Sequence, residues 1–228
     1  GAEYDPPQDA SLTITPYLNM YVNLHDGTKV YFSKKLKAGE SYGPIPYGGS
    51  KLDILNIYGA SNIQSLGDTS LMYPQTAALG TGKRLKSVIL GNDLPNFTNP
   101  VLENLDLGAN NRLLEVLDIR NVVGLKGDLS AVTQIPSLKY LYAQGTNCSS
   151  VKFANNGLLR EAYLPSTLTT LECRNLFFLE KLEVESYEKL VDLVIENCTF
   201  AGTAVVQYGF FGQVLRGTVE NVKVSMST

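Results

Sequence analysis

Leucine or a close relative recurs along the chain at positions one, four and six of a short unit, often with Asn or a small polar residue two or three places later. Leu85, Val88 and Leu90 begin the series ahead of Gly91 and Asn92. Leu102, Leu105 and Leu107 repeat it ahead of Asn110, and Leu114, Leu117 and Ile119 repeat it ahead of Asn121. Further copies are Leu138, Leu141, Ala143; Leu159, Ala162, Leu164; Leu168, Leu171, Cys173; Leu179, Leu182, Val184; and Leu190, Leu193, Ile195 with Asn197. A weaker copy at Leu52, Leu55 and Ile57 precedes them. Positions four and six alternate with polar neighbours, so they point to one face of a short strand. A single unit cannot bury that face alone, so successive units must stack around a shared core. This predicts a β-rich solenoid, leucine-rich-repeat-like, of irregular short coils with few short helices. An Asn after the strand suits a turning backbone, because its amide can bond unpaired peptide groups of the coil above.

The spacing of the units is uneven, with first positions at Leu85, Leu102, Leu114, Leu138, Leu159, Leu168, Leu179 and Leu190. The steps from Leu114 to Leu138 and from Leu138 to Leu159 are long enough for a whole coil. The first of them predicts a convex-side turn of helix over Asp128 to Ile135, with Leu129, Val132 and Ile135 at helical-type spacing. The steps after Leu159 are too short for a coil, but neighbouring ones combine in pairs to the length of one. There a coil carries either strands on two opposite sides or a strand and a helix, and both readings stay open at this point.

Before the repeats, residues 1–15 contain Pro6 and Pro7, show little periodicity and are expected to form a flexible segment. Residues 16–50 are expected to form a β-hairpin cap: Tyr17 to Leu24 and Lys29 to Leu36 are β-rich runs joined around Asp26-Gly27, a dipeptide suited to a tight turn. Gly43 to Gly49, with Pro44 and Pro46 inside it, reads as the connecting loop. Residues 51–228 form the solenoid, closed by a terminal strand where Val214 to Met226 alternates again.

Several phrases resemble one group of leucine-rich-repeat proteins in particular. The general motif LxxLxLxxN covers roughly residues 85 to 198. Within and before it lie YGASNIQSLGD (Tyr58 to Asp68), LDLG (Leu105 to Gly108), LDIRN (Leu117 to Asn121), LKG (Leu125 to Gly127) and YAQGT (Tyr142 to Thr146). LPSTLTTL (Leu164 to Leu171) and ESYEKLVDL (Glu185 to Leu193) continue the match. These are similar to structural, usually tail-associated proteins of bacteriophages and prophages of gut bacteria. The resemblance implies a virion component that contacts other virion proteins or a host-surface protein or glycan. A bacterial surface adhesin, at the cell surface or secreted, is the alternative, and a glycan-degrading enzyme the second one.

Composition narrows the chemistry. The 228 residues carry 19 basic and 22 acidic side chains, a net charge of −3, so no surplus of cations exists to neutralise a phosphate backbone and nucleic acid is not expected as a partner. No apolar run approaches the ~18 residues of a membrane span, and the first residues lack a basic-then-apolar signal layout, so no membrane insertion is expected. A single histidine, His25, and three cysteines argue against most His-dependent catalysis and most structural zinc sites, so no metal or other cofactor is expected. Cys148, Cys173 and Cys198 are evenly spaced without a CxxC pair, and the repeat itself spaces them so, which reads as buried thiols. Gly80-Thr81-Gly82-Lys83 lacks the upstream glycine and downstream hydroxyl of a phosphate loop and reads as an ordinary loop.

Glu183 and Glu185, with Glu172, Asp192 and Glu196 in neighbouring units, place carboxylates close enough for acid-pair glycosidase chemistry. A repeat that turns polar residues outward on every strand creates such pairs by default, so no catalytic residue is assigned. The outward positions five and seven carry tyrosines among charges, a composition that gives large contact area with polar handles. The candidate binding face drawn from them is Asp106, Asp118, Arg120, Tyr142, Tyr163, Arg174, Glu183 and Glu185. Coils with strands on two sides would split these columns between opposite faces. The open ends of a solenoid leave oligomerisation available.

Overall fold

The alternation is realised as a parallel β-solenoid. A computed structural model describes residues 17–24, 26–35, 52–57, 65–66, 76–78, 86–107, 112–129, 132, 135–208 and 213–226. Among these residues sixteen strands, numbered in chain order, form three sheets. The first sheet runs β2 (Lys29–Lys35), β1 (Tyr17–Leu24), β3 (Leu52–Ile57), β5 (Thr76–Ala78), β7 (Asn104–Asp106). The second runs β4 (Ser65–Leu66), β6 (Ser87–Ile89), β8 (Val116–Asp118), β10 (Tyr140–Tyr142), β12 (Glu161–Leu164), β14 (Lys181–Val184). The third runs β9 (Lys126–Asp128), β11 (Asn147–Phe153), β13 (Thr170–Arg174), β15 (Asp192–Tyr208), β16 (Gln213–Met226).

From β3 onward each pairing is parallel, and the chain visits the second sheet and then the first or third in turn. The coils therefore carry strands on two sides, which resolves the short steps. In the second sheet Val88 pairs with Leu117, Leu117 with Leu141, Leu141 with Ala162 and Ala162 with Leu182, so from Val88 onward each coil is shorter than the one before it. Two strands and two corners fill the shortest of them and leave no room for a helix of several turns. The turn of helix expected over Asp128 to Ile135 takes the tighter 3₁₀ form and starts only after Asp128, which ends β9: among the described residues the Val132 N–H bonds the Leu129 carbonyl and the Ile135 N–H the Val132 carbonyl.

Most of the described positions read as inward form the core, with Leu105 and Val184 only partly buried against it. Leu114, Leu117, Ile119, Leu138, Leu141 and Ala143 are fully buried, as are Leu159, Ala162, Leu164, Leu168, Leu171 and Cys173. One continuous apolar cluster joins the inward residues of all three sheets, as stacked units that share a core require. The three cysteines are free and buried within it. Burial raises the pKa of each thiol, most strongly at Cys173, so they stay protonated and pack as small apolar groups.

Asparagines tie the coils together at the corners. Asn121 and Asn175 take the left-handed backbone conformation, φ 61° and 57°, which Asn tolerates best after glycine. The Asn121 side-chain amide donates to the Asn92 carbonyl of the preceding coil at 2.9 Å. Asn156, fully buried, donates to both the Val132 and Ile135 carbonyls at 2.9 and 3.0 Å. Asn156→Ala removes two buried hydrogen bonds between coils, while each carbonyl keeps one backbone donor, the Ile135 and Leu138 N–H groups, so the expected loss is about 1 to 3 kcal/mol, read from urea unfolding; an unchanged midpoint would contradict the bridging role.

The first two strands form an antiparallel hairpin. β1 and β2 pair antiparallel from Tyr17–Lys35 to Asn23–Lys29, and β1 also pairs antiparallel with β3 at the edge of the first sheet. Gly27 turns the chain at φ 87°, and Asp26 Oδ1 accepts from the Thr28 N–H at 2.9 Å. His25, residues 1–15, the Gly43–Gly49 loop and Gly80 to Lys83 lie outside the described residues. At the far end, β15 and β16 pair in parallel from Leu193–Gln213 to Tyr208–Met226. Only four residues separate the two strands, a reach of at most ~18 Å, whereas a straight strand as long as β15 would run ~55 Å. The strands must therefore bend around the coil, which the register shifts after Glu196 and Thr199 accommodate.

Candidate binding face

The second sheet presents rows of outward side chains one residue off the inward ones. Asp118, Tyr142, Tyr163 and Glu183 lie in one register row across β8, β10, β12 and β14. Arg120 and Glu185 stand two residues further on at the two ends of that row. Six of the eight candidate residues thus share one face. Asp106 ends β7 in the first sheet, and Arg174 ends β13 in the third. They belong to the other side of the coils, so the eight do not form one surface.

Arg174 is held in a separate charge ladder. Its guanidinium meets Glu172 at 2.6 Å and Glu196 at 3.2 Å, and Lys152 meets Glu172 at 3.6 Å. The Glu172 hydrogen bond, reinforced by charge attraction from both carboxylates, holds the Arg174 pKa above its ordinary value.

On the second sheet the parallel ladder stacks the two tyrosines. Their ring centroids are 5.2 Å apart with planes 11° from parallel, an arrangement that contributes about 0.5 to 1.5 kcal/mol beyond burial. The Arg120 guanidinium carbon lies 5.9 Å from the Tyr142 centroid, and Lys181 Nζ lies 5.6 Å from that of Tyr163. Arg120 comes from the preceding rung and Lys181 from the following one. Cation, two rings and cation therefore form one continuous stack, and both faces of each ring are occupied. A sugar could therefore stack on these rings only by displacing a cation.

Asp118 departs from the expected exposed role, with only 4% of its surface accessible. Its two carboxylate oxygens accept from Arg120 Nε at 3.0 Å and Nη2 at 2.7 Å, and Oδ1 also accepts the Arg120 backbone N–H at 3.0 Å. Asp93 pairs with Arg120 Nη1 at 3.1 Å from the exposed side. Such a charge-assisted fork fixes the guanidinium in orientation as well as position. Asp118 acts by aiming Arg120 and does not itself reach the surface. Its hydrogen bond is also the main cause that raises the Arg120 pKa.

At the other end, Lys181 pairs with Glu183 at 3.3 Å, and Glu185 Oε1 accepts the Gly145 N–H at 2.6 Å. Tyr163 donates its hydroxyl to Glu161 Oε1 at 2.9 Å. A groove of about 360 Å³ opens here between Gln144, Tyr163, Glu183, Glu185 and Tyr187, with Leu182 among its apolar walls. Tyr187 packs against the core, and burial, with the nearby Cys173 and Glu183, pushes its hydroxyl pKa up to about 12. Among the described residues no three His, Cys, Asp or Glu side chains gather as a metal ion would require.

No family model, curated protein or solved structure matches this chain. The solenoid is therefore read from the chain itself, and the likeness to leucine-rich-repeat and bacteriophage proteins stays a resemblance of short phrases.

Sequence reasoning missed four contributors to this face: Asp93, Glu161, Lys181 and Tyr187. Lys181 and Glu161 occupy position three of their units, which faces outward like positions five and seven. That parity was available in the sequence. Tyr187 had no such signal, because it lies beyond its strand and reaches the groove only through the fold.

Proposed function

We propose that this protein is a non-enzymatic bacteriophage virion component, tail or fibre associated, that uses the outer face of its six-stranded sheet to bind protein. The observation that carries the binding role is the cation–tyrosine–tyrosine–cation stack, an ordered group of large side chains held on a rigid ladder. Rigid tyrosines lose little conformational freedom on contact, which favours a recognition surface. The covered ring faces favour a protein partner over a sugar. The virion assignment rests on the phrases from Tyr58 to Leu193 and implies a host-surface protein or another virion protein as partner.

The test is attachment of fluorescently labelled protein to a panel of gut bacterial strains, with heat-denatured protein as control. Saturable attachment to a subset of strains, lost after protease treatment of the cells and weakened at least tenfold by Tyr142→Ala with Tyr163→Ala, is expected. The double variant should still unfold cooperatively. Equal attachment by the variant would remove the tyrosine face, and attachment to no strain would remove host recognition in favour of a role inside the virion.

A further inference from the structure

We infer that the groove on the far flank of the tyrosine pair receives an arginine side chain from the protein partner. This deepens the reading of the second sheet as a recognition face and rests on it. The polar lining consists of Gln144, Tyr163, Glu183, Glu185 and Tyr187, with two carboxylates and no cationic side chain. Among the described residues none hydrogen-bonds Gln144 Oε1, which is buried there. An acceptor kept dry in this way is a standing penalty that an incoming donor removes. Glu185 uses one oxygen to hold the Gly145 N–H, and Glu183 is met by Lys181 through Oε1. The groove therefore favours a cationic donor with several N–H groups.

The same row contains its own example of such a contact. Asp118 and Arg120 at one end occupy the positions that Glu183 and Glu185 occupy at the other. At the Asp118 end a guanidinium lies over Tyr142 and is gripped by a carboxylate. At the Glu183 end the cation over the tyrosine is the Lys181 ammonium, held by Glu183, while among the described residues no ion pair engages Glu185. Arginine suits the groove better than a second lysine would, because its planar fork can meet Glu185 and the Gln144 side-chain oxygen together, whereas an ammonium is a point charge.

The experiment uses the whole chain and acetyl-Gly-Arg-Gly-amide as probe, followed by NMR, with the lysine and citrulline peptides and glucosamine as comparisons. The arginine peptide should shift the Gln144 side-chain amide and the Tyr163 and Tyr187 ring signals. Citrulline should bind at least tenfold more weakly and lysine at least threefold more weakly. Glu185→Gln keeps an acceptor for the Gly145 N–H while removing the charge, so the Gly145 signal should hold its place while arginine affinity falls at least fivefold. Equal binding of citrulline, shifts produced by glucosamine alone, or no shift with any probe would overturn the inference. If attachment to cells depends on Tyr142 and Tyr163 while no arginine binding is seen, this inference fails and the recognition face stands. Arginine binding at the groove with tyrosine-independent attachment supports the pocket and removes the host-facing role of the tyrosines.

Discussion

Replacing Phe153 with alanine lowers the unfolding free energy by about 3 to 5 kcal/mol, the range of fully buried aromatic truncations. Phe153 ends β11 with no accessible surface and is among the largest fully buried side chains. It pairs in register with Cys173 on the next rung, so a small side chain is its neighbour and cannot spread into the space left behind. The ladder also resists collapse, because hydrogen bonds fix rung spacing near ~4.8 Å. Each coil rests only on its neighbours, so a void at one rung weakens the coupling between the coils on either side. Urea unfolding followed by circular dichroism and tyrosine fluorescence measures the loss, there being no tryptophan in the chain. Phe178→Ala is the control: Phe178 is 58% exposed, and its truncation should change stability by no more than about 0.5 kcal/mol. A Phe153 effect as small as that would refute the packing described.

Gly91→Ala is expected to cost about 3 kcal/mol, at the upper end of overpacking. A Cβ at Gly91 would lie 2.1 Å from the Arg120 carbonyl oxygen and 2.5 Å from the Arg120 nitrogen. These are backbone atoms of the next coil, so no rotamer change relieves the clash and the coils of β6 and β8 must part. The Gly91 N–H also donates to the Asp118 carbonyl at 3.2 Å. Parting the rungs therefore disturbs Asp118 and Arg120, and with them one end of the cation–tyrosine stack. Gly157 makes the comparison clean: its Cβ would meet open space and its backbone is not left-handed. Gly157→Ala should shift stability by less than about 1 kcal/mol. Equal melting temperatures for the two variants would show that the coils do not approach so closely.

The candidate face is legible in part from the repeat. Tyr142 and Tyr163 hold position five of adjacent units, and their side-by-side placement follows from any stacking of those units. Asp106 and Arg174 fall away from it, because the units beginning at Leu102 and Leu168 lie on the other side of the coil. Their local pattern is the same as that of units on the near side, so nothing within a unit marks its side. Parity turns Asp118 outward and reads it as a surface group. Its burial comes from Arg120 folding back over it, a side-chain event that the period of the backbone does not encode.

What depends on local backbone geometry is written in the chain. A period of two decides which side chains face inward along a strand, and the buried set from Leu114 to Ile195 follows it. Asp26-Gly27 fixes the hairpin turn in the same way, through the torsions those two residues permit. What depends on where a coil turns emerges only in the folded molecule. The corners place consecutive units on alternate sides, set coil length, and bring Gly91 against the Arg120 backbone and Asn156 against Val132 and Ile135. They also join Gln144, which follows β10, to Glu185 and Tyr187, which follow β14, in one groove. Most of those contacts link residues a whole coil or more apart in sequence, and only the summed path of the chain through its corners brings such residues together.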